Sequence, residues 1–305
     1  YYLKQNNKLI DVDTRDYENL LTHLPNSDKS YIINILNKIK NTKIQNCIMC
    51  SWYNILDNNN NIECEFCSMN ITKNEKRYGY FDEKCTDTSI HHNTIFVLEN
   101  MLSCIDKVFT NNIINDKFSN DVMLVTRPPG HHSSLDIISG FCYLNWVYII
   151  SQYLVNKLNN KVCIIDLDLH HGNGTEKMIC NKNNSLFIDL HYYDSCFYPK
   201  SGNENEYISD NIININMPKN SDDEKYINRL IEQFDTIENF SPDVFIISVG
   251  CDIIEGDHFN IMKCSNLFYK KIYDILKDKF NKNIVMVLEG GYNKENITET
   301  IKNLL

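Results

Sequence analysis

The chain has 305 residues, 43% hydrophobic and 23% charged, with a formal net charge of −10 at pH 7. That balance is globular and excludes a disordered chain, and the length suits one large α/β domain or a medium domain with a small appendage. The apolar runs, such as Val244 to Val249, fall far short of the roughly 20 residues of a membrane helix, so no membrane partner is expected. The acidic excess argues against a strong direct grip on nucleic-acid phosphates and fits a basic partner such as a Lys-rich tail. The chain opens Tyr-Tyr-Leu-Lys, with neither an initiator Met nor a signal-peptide pattern, and reads as a piece of a longer protein. Its 12 Cys are expected to be reduced thiols, acting as metal ligands or small buried hydrophobes. Ala is absent while Asn, Ile, Lys and Tyr abound, so tracts such as Asn58 to Asn61 read as coding bias in solvated loops.

In chain order, residues 1–45 mix a helical pattern over Tyr31–Ile39 with polar breaks and carry no assignable chemistry. Residues 46–70 hold four Cys, and the segment 78–305 reads as one α/β unit. The periodicity predicts helices over Phe96–Phe109, Leu144–Leu158, Gly174–Ile179, Glu224–Ile237, Leu267–Phe280 and Asn296–Leu304. Short apolar runs predict strands at Val122–Thr126, Val162–Asp166, Leu186–Leu190, Ile212–Ile215, Val244–Val249 and Ile284–Leu288. Fully apolar strands alternating with helices indicate a parallel sheet covered on both faces. In such sheets ligands bind at the carboxyl ends of the strands.

Those ends carry Arg127-Pro-Pro-Gly-His131-His132, Asp166-Leu-Asp168-Leu-His170-His171-Gly-Asn173, His191-Tyr-Tyr-Asp194, Gly250-Cys-Asp252 and Glu289-Gly-Gly-Tyr292. Asp168 and His170 stand two apart in an extended segment and face the same way, so both can bind one ion. Asp252 can supply a third ligand, which leaves an open position of catalytic-zinc type. Alone, an Asp-x-His pair is as readily a loop carboxylate beside a satisfied imidazole. His131 and His132 can act as general acid and base, with Asp166 and Asn173 available to orient them. An isolated His pair is more often structural; its place beside the metal candidates reverses that preference. The Tyr292 hydroxyl, presented by a glycine pair, can donate to a developing oxyanion, the bland alternative being a packed aromatic.

Five segments then stand together in one order: Arg127-Pro-Pro-Gly-His-His, Gly140-Phe-Cys-Tyr-Leu-Asn145, Asp166-Leu-Asp-Leu-His-His-Gly-Asn-Gly-Thr175, Ser248-Val-Gly-Cys-Asp252 and Glu289-Gly-Gly-Tyr-Asn293. Over residues 80–305 this resembles the zinc-dependent histone deacetylase family, and Asn173 with Glu-Gly-Gly-Tyr resembles its class II branch. The resemblance implies a three-layer arginase/deacetylase-like fold, with a central, mostly parallel sheet and helices on both faces. It implies Asp168, His170 and Asp252 as zinc ligands, His132 as general base and His131 as its companion, partnered by Asn173 and Asp166. Tyr292 would stabilise the oxyanion. Phe141 and Tyr198 match the aromatic walls of the acetyl-lysine tunnel, Phe259 its rim, and Asp87 the rim residue that holds substrate backbone. Backbone carbonyls of Asp166, Asp168 and His170 match a potassium site, although Asp189 stands where that site usually has Ser. His258-Phe259 replaces a Pro-Leu pair, Cys251 replaces Phe, and the family's opening His-Pro-Glu-Arg-Pro loop is not recognisable.

Cys47-x2-Cys50 and Cys64-x2-Cys67 have zinc-site spacing and resemble a RanBP2-type finger with a longer middle loop. The alternative is chance in a Cys-rich chain. The reading is a nuclear or cytoplasmic zinc-dependent deacetylase of acetylated protein tails such as histones, with corepressor-type partners. Its rivals are an acetylpolyamine deacetylase and a weakly active acetyl-lysine-binding scaffold.

Overall fold

The structure, a computed structural model, describes residues 2–5, 8–11, 21–41, 44–46, 53–55, 62–63, 70–71, 87–110, 121–135 and 137–305. Three short antiparallel ribbons precede the main sheet in the chain: β1 (Tyr2–Gln5) with β2 (Lys8–Asp11), β3 (Ile44–Asn46) with β4 (Tyr53–Ile55), and β5 (Ile62–Glu63) with β6 (Asn70–Ile71). The main sheet comprises β7 (Val122–Leu124), β8 (Val162–Asp166), β9 (Ser185–His191), β10 (Ile212–Asn216), β11 (Val244–Val249) and β12 (Asn283–Leu288). All its pairings are parallel, in the order β10-β9-β8-β11-β12-β7.

Strand periodicity divides the apolar residues between two cores. Val162, Ile164, Val244, Ile246, Val285 and Val287 enter one; Cys163, Ile165, Phe245, Ile247, Ile284 and Met286 enter the other. Helices α1 (Asn26–Asn41), α2 (Asp87–Thr110), α3 (Trp146–Leu158) and α4 (Asn173–Ile179) feed the first face. Helices α5 (Asp223–Ile231), α6 (Phe234–Phe240), α7 (Phe268–Phe280) and α8 (Lys294–Leu304) feed the second. The result is a three-layer α/β architecture, a parallel sheet with helices on both faces, as the resemblance implies.

Helix ends differ from the periodicity at identifiable caps. Asn145 N-caps α3 through Tyr148 N, which moves the start to Trp146. Asn293 accepts from the amides of Glu295 and Asn296 and so starts α8 early. The helix expected over Glu224–Ile237 is two helices, because Gln233 N bonds back to Leu230 O at 3.0 Å and tightens the turn between α5 and α6. The segment before residue 45 joins the first core through Leu21, Leu24, Tyr31, Ile32, Ile35 and Leu36. Tyr31 also contacts Ser133, next to the tandem histidines, at 3.1 Å.

Candidate active site

Strand register gathers the chemical residues. Asp166 ends β8 opposite Ser248 of β11, and Val249 pairs with Leu288 of β12. Leu124 of β7 pairs with Val287. The loops leaving these four strands therefore emerge side by side, carrying Asp168 and His170, Asp252, Tyr292, and the tandem histidines.

Asp168, His170 and Asp252 offer ligand atoms that all lie within 4.8 Å of one another, and all three side chains are buried. His170 Nδ1 lies 3.1 Å from Asp168 Oδ1 and 3.2 Å from Asp252 Oδ2. Backbone amides of neighbouring loops hold the two carboxylates: Leu169 N donates to Asp252 Oδ1, His170 N to Asp168 Oδ1, and Gly290 N to Asp168 Oδ2. A Cβ at Gly290 would fall onto both Asp168 Oδ2 and Asp252 Oδ2, so only glycine lets this turn close over the carboxylates. Asp252 Oδ2 is buried, and among the described residues its close polar neighbour is His170 Nδ1.

The electrostatics of this trio suit a cation. Burial, and then the neighbouring Asp168, push the Asp252 carboxyl up to about 6. Burial opposes charge on His170, yet hydrogen bonds to Asp168 and Asp252 outweigh it and lift the imidazole to about 9. Burial would also raise Asp168, but His131 and His170 hold it well below the carboxylate range. Two carboxylates and one imidazole, dry and mutually close, draw in positive charge. Their oxygen and nitrogen donors are those zinc accepts, so the residues fit that ion.

Beside this cluster the two histidines have different partners. His131 Nδ1 lies 3.2 Å from Asp166 Oδ2, and its Nε2 is 3.8 Å from Asp168 Oδ1. His132 Nδ1 donates to Asn173 Oδ1 at 2.8 Å, which leaves Nε2 as the free lone pair of the neutral ring. Burial lowers the first imidazole, but Asp168, Asp166 and Glu289 outweigh it and hold His131 well above the ordinary value. Burial, then the charges of His131 and His170, hold His132 well below it. Their loop is pinned from β12: Glu289 Oε2 accepts from the amides of Gly130 at 2.6 Å and His131 at 3.0 Å.

Aromatic rings surround the cluster. Phe141 meets Tyr292 edge-on at 6.2 Å, and Tyr198 meets His132 at 4.9 Å. Phe259 stands edge-on to His170 at 5.0 Å and to Tyr292 at 5.3 Å. Tyr292 is 41% exposed, so its ring is reachable from solution. The protein crowding around its hydroxyl, then Asp252 and Asp168, still hold the phenol well above its ordinary value, so it is a donor.

Two further residues, Phe197 and Asp257, stand at the site without a motif to mark them. Phe197 stacks face to face on His170 at 5.0 Å, and its only sequence signal is adjacency to Tyr198. Asp257 hydrogen-bonds the backbone of Tyr292, and its signal is a Gly-Asp turn before Phe259. Asp189 uses its oxygens on His191 Nδ1 and Gly172 N, both at 2.8 Å. Asp87 begins α2, but its side chain lies outside the described residues, as do Cys47, Cys50, Cys64 and Cys67.

The histone deacetylase domain model matches residues 19–305. Over 185 residues the chain is 35% identical to Histone deacetylase 9 of Homo sapiens, an alignment covering 55% of this chain and 18% of that protein. Over 243 residues it is 29% identical to Histone deacetylase HDA1 of Candida albicans, covering 75% of this chain and 29% of that protein. The chain thus spans less than a third of the length of either relative. The crystal structure of the HDA15 HD domain superposes with a TM-score of 0.71 at 20% identity, covering 97% of this chain and 75% of that one, which shows the shared fold. With the family model running through almost the whole sequence, the chain belongs to the histone deacetylase family.

Proposed function

We propose that this chain is a zinc-dependent protein lysine deacetylase of class II type, hydrolysing N-acetyl-lysine in tails such as those of histones. The observation that carries it is the convergence of Asp168, His170 and Asp252 beside two histidines that have unlike partners. Asp168, His170 and Asp252 would hold a zinc ion, which when bound would supply Lewis acidity toward the amide carbonyl and a water. His132, kept neutral beside the uncharged Asn173, takes the water's proton at Nε2. The Tyr292 hydroxyl donates to the oxyanion as the carbonyl carbon becomes tetrahedral. His131, beside the Asp166 carboxylate, holds positive charge near that centre, and one of the pair returns a proton to the leaving lysine amine. Phe141, Tyr198, Phe197 and Phe259 supply apolar walls for the lysine methylenes.

The class II assignment rests on Asn173 as the partner of His132 and on Glu289 in the Glu-Gly-Gly-Tyr turn. A basic tail suits the net charge of −10. The reading extends to the nucleus or cytoplasm and to corepressor-type partners; no helix among the described residues is long and apolar enough to cross a membrane. A second, structural zinc on Cys47, Cys50, Cys64 and Cys67 would make residues 46–70 a finger before a catalytic unit at 78–305. It is supported by sequence position, since one pair falls between β3 and β4 and the other between β5 and β6. A potassium ion would use the backbone carbonyls of Asp166, Asp168 and His170.

Phe259 argues against acetylpolyamines, because a phenyl ring at the rim offers no carboxylate to pair with a second ammonium. The test is turnover of acetylated peptides against acetylated polyamines, with zinc content and chelator sensitivity measured on the same sample. Turnover of peptides that follows zinc content is expected. A zinc-loaded chain that binds acetyl-lysine peptides without turning them over would make it a scaffold instead.

A further inference from the structure

Asp257 is a carboxylate with no place in the chemistry above. It is 3% exposed, and among the described residues its hydrogen-bond partners are backbone amides. Oδ2 accepts from Tyr292 N at 2.7 Å and Asn293 N at 2.9 Å; Oδ1 accepts from Phe259 N at 3.3 Å. Asn293 is the N-cap of α8, so the dipole of that helix adds to the hold on the anion.

Those amides belong to two loops whose aromatic rings meet, Tyr292 and Phe259. Tyr292 carries the hydroxyl the reaction needs, and Phe259 forms the rim that packs edge-on against it at 5.3 Å. Two further bonds stitch the same loops together, Asn293 Nδ2 to Gly256 O at 3.0 Å and Asn296 Nδ2 to Glu255 O at 3.1 Å. On its other side Tyr292 follows Gly290-Gly291, with Gly291 at φ 120°, a conformation that only glycine adopts readily. The turn is held as far as Gly291 by Gly290 N on Asp168 Oδ2, Cys251 N on Gly290 O and the Arg127 guanidinium on Gly291 O. From the next residue onward the backbone is held by Asp257, at the amides of Tyr292 and Asn293.

We propose that Asp257 is a positioning residue, which fixes the Tyr292 backbone, and through it the hydroxyl, in register with the Phe259 rim. This rests on the deacetylase reading above. It goes beyond that reading by making the turn after Asp252 part of the oxyanion machinery.

The test is a double-mutant cycle on the full chain, with zinc content measured throughout. Asp257→Ala is expected to lower kcat on an acetyl-lysine peptide by about tenfold or more, with KM less affected and zinc retained. Tyr292→Phe is expected to lower kcat by roughly 10²–10³. The double variant should match Tyr292→Phe within about twofold, because misplacing a hydroxyl costs nothing once it is gone. Losses that multiply, an unchanged kcat in Asp257→Ala, or a fall that tracks lost zinc would each overturn the proposal. Should Asp257→Ala not fold, Asp257→Asn runs the same cycle. It offers one acceptor oxygen where the carboxylate offers two, and its loss too must vanish in the Tyr292→Phe background. Hydrogen exchange at the Tyr292 and Asn293 amides, read without substrate, should quicken in either variant; unchanged exchange overturns the proposal. If wild type turns over no acetyl-lysine substrate the deacetylase reading fails, and the exchange arm alone decides whether Asp257 holds Tyr292.

Discussion

His132 donates from Nδ1 to Oδ1 of Asn173 across 2.8 Å, a neutral hydrogen bond where its neighbour His131 has a carboxylate. A neutral partner orients the ring without favouring its charged form. Burial first, then the charges of His131 and His170, hold His132 well below the ordinary imidazole value. The acid limb of kcat/KM, which reports the free base, should therefore lie on the acidic side of the usual histidine range. Asn173→Asp places a carboxylate on Nδ1, favours the imidazolium, and should move that limb to higher pH by about one unit or more. A pH–rate profile of both proteins checks this; an unmoved limb would mean that His132 is not the base.

Phe259 is 38% exposed and stands edge-on to His170 at 5.0 Å. A carboxylate there would face incoming substrate beside the proposed metal. Phe259→Glu should raise the ratio of kcat/KM for acetylated polyamines over acetyl-lysine peptides. A tenfold change in that ratio corresponds to about 1.4 kcal/mol, within reach of one partly desolvated charge pair. Competition between the two substrates in one reaction measures the ratio directly, and an unchanged value would place specificity elsewhere.

Much of the site was legible in the sequence because parallel α/β sheets put chemistry at strand ends. Val122, Val162, Val244 and Ile284 each open an apolar run, and each run leads into a polar segment that belongs to the site. Strand faces were legible for the same reason, since every second residue enters the same core. The strand order was not, because nothing local in Val244–Val249 says that it pairs with both β8 and β12. Asp257 was missed because its role depends on an amide 35 positions away. Phe197 was missed because adjacency to Tyr198 does not say which ring will stack on His170. The split of Glu224–Ile237 turns on one tightened hydrogen bond within an otherwise helical pattern.

Glu289 is fully buried, with no hydrogen-bond partner for Oε1 among the described residues, and burial above all pushes its carboxyl up to about 7 from an ordinary 4.5. A carboxyl raised on folding binds its proton more tightly in the native state, so its contribution to stability falls as pH rises from 4.5 to about 7. Glu289→Gln keeps an acceptor for the amides of Gly130 and His131 and has no proton to lose. Relative to wild type, the variant should gain stability across that window, by on the order of 3 kcal/mol at its upper end. Urea unfolding of both proteins at pH 4.5 and pH 8 gives the difference. A gap that does not widen with pH would show that Glu289 titrates normally.

Cys47, Cys50, Cys64 and Cys67 bear on whether catalysis and recruitment are separate. A segment of residues 46–70 is too short to bury a core of its own, so metal binding should be what folds it. Four thiolates form a closed tetrahedral site with no position left for substrate. The segment precedes Arg127, where the first of the site loops begins, so its loss should spare the pocket. A Cys64→Ser/Cys67→Ser variant should therefore lose one zinc equivalent and become protease-sensitive near residues 46–70, while turnover of a short acetylated peptide stays near wild type. Zinc content, limited proteolysis and a peptide assay on one preparation check all three. Loss of both zinc equivalents, or of short-peptide turnover, would make the four cysteines part of the active-site wall and move the boundary proposed before residue 78.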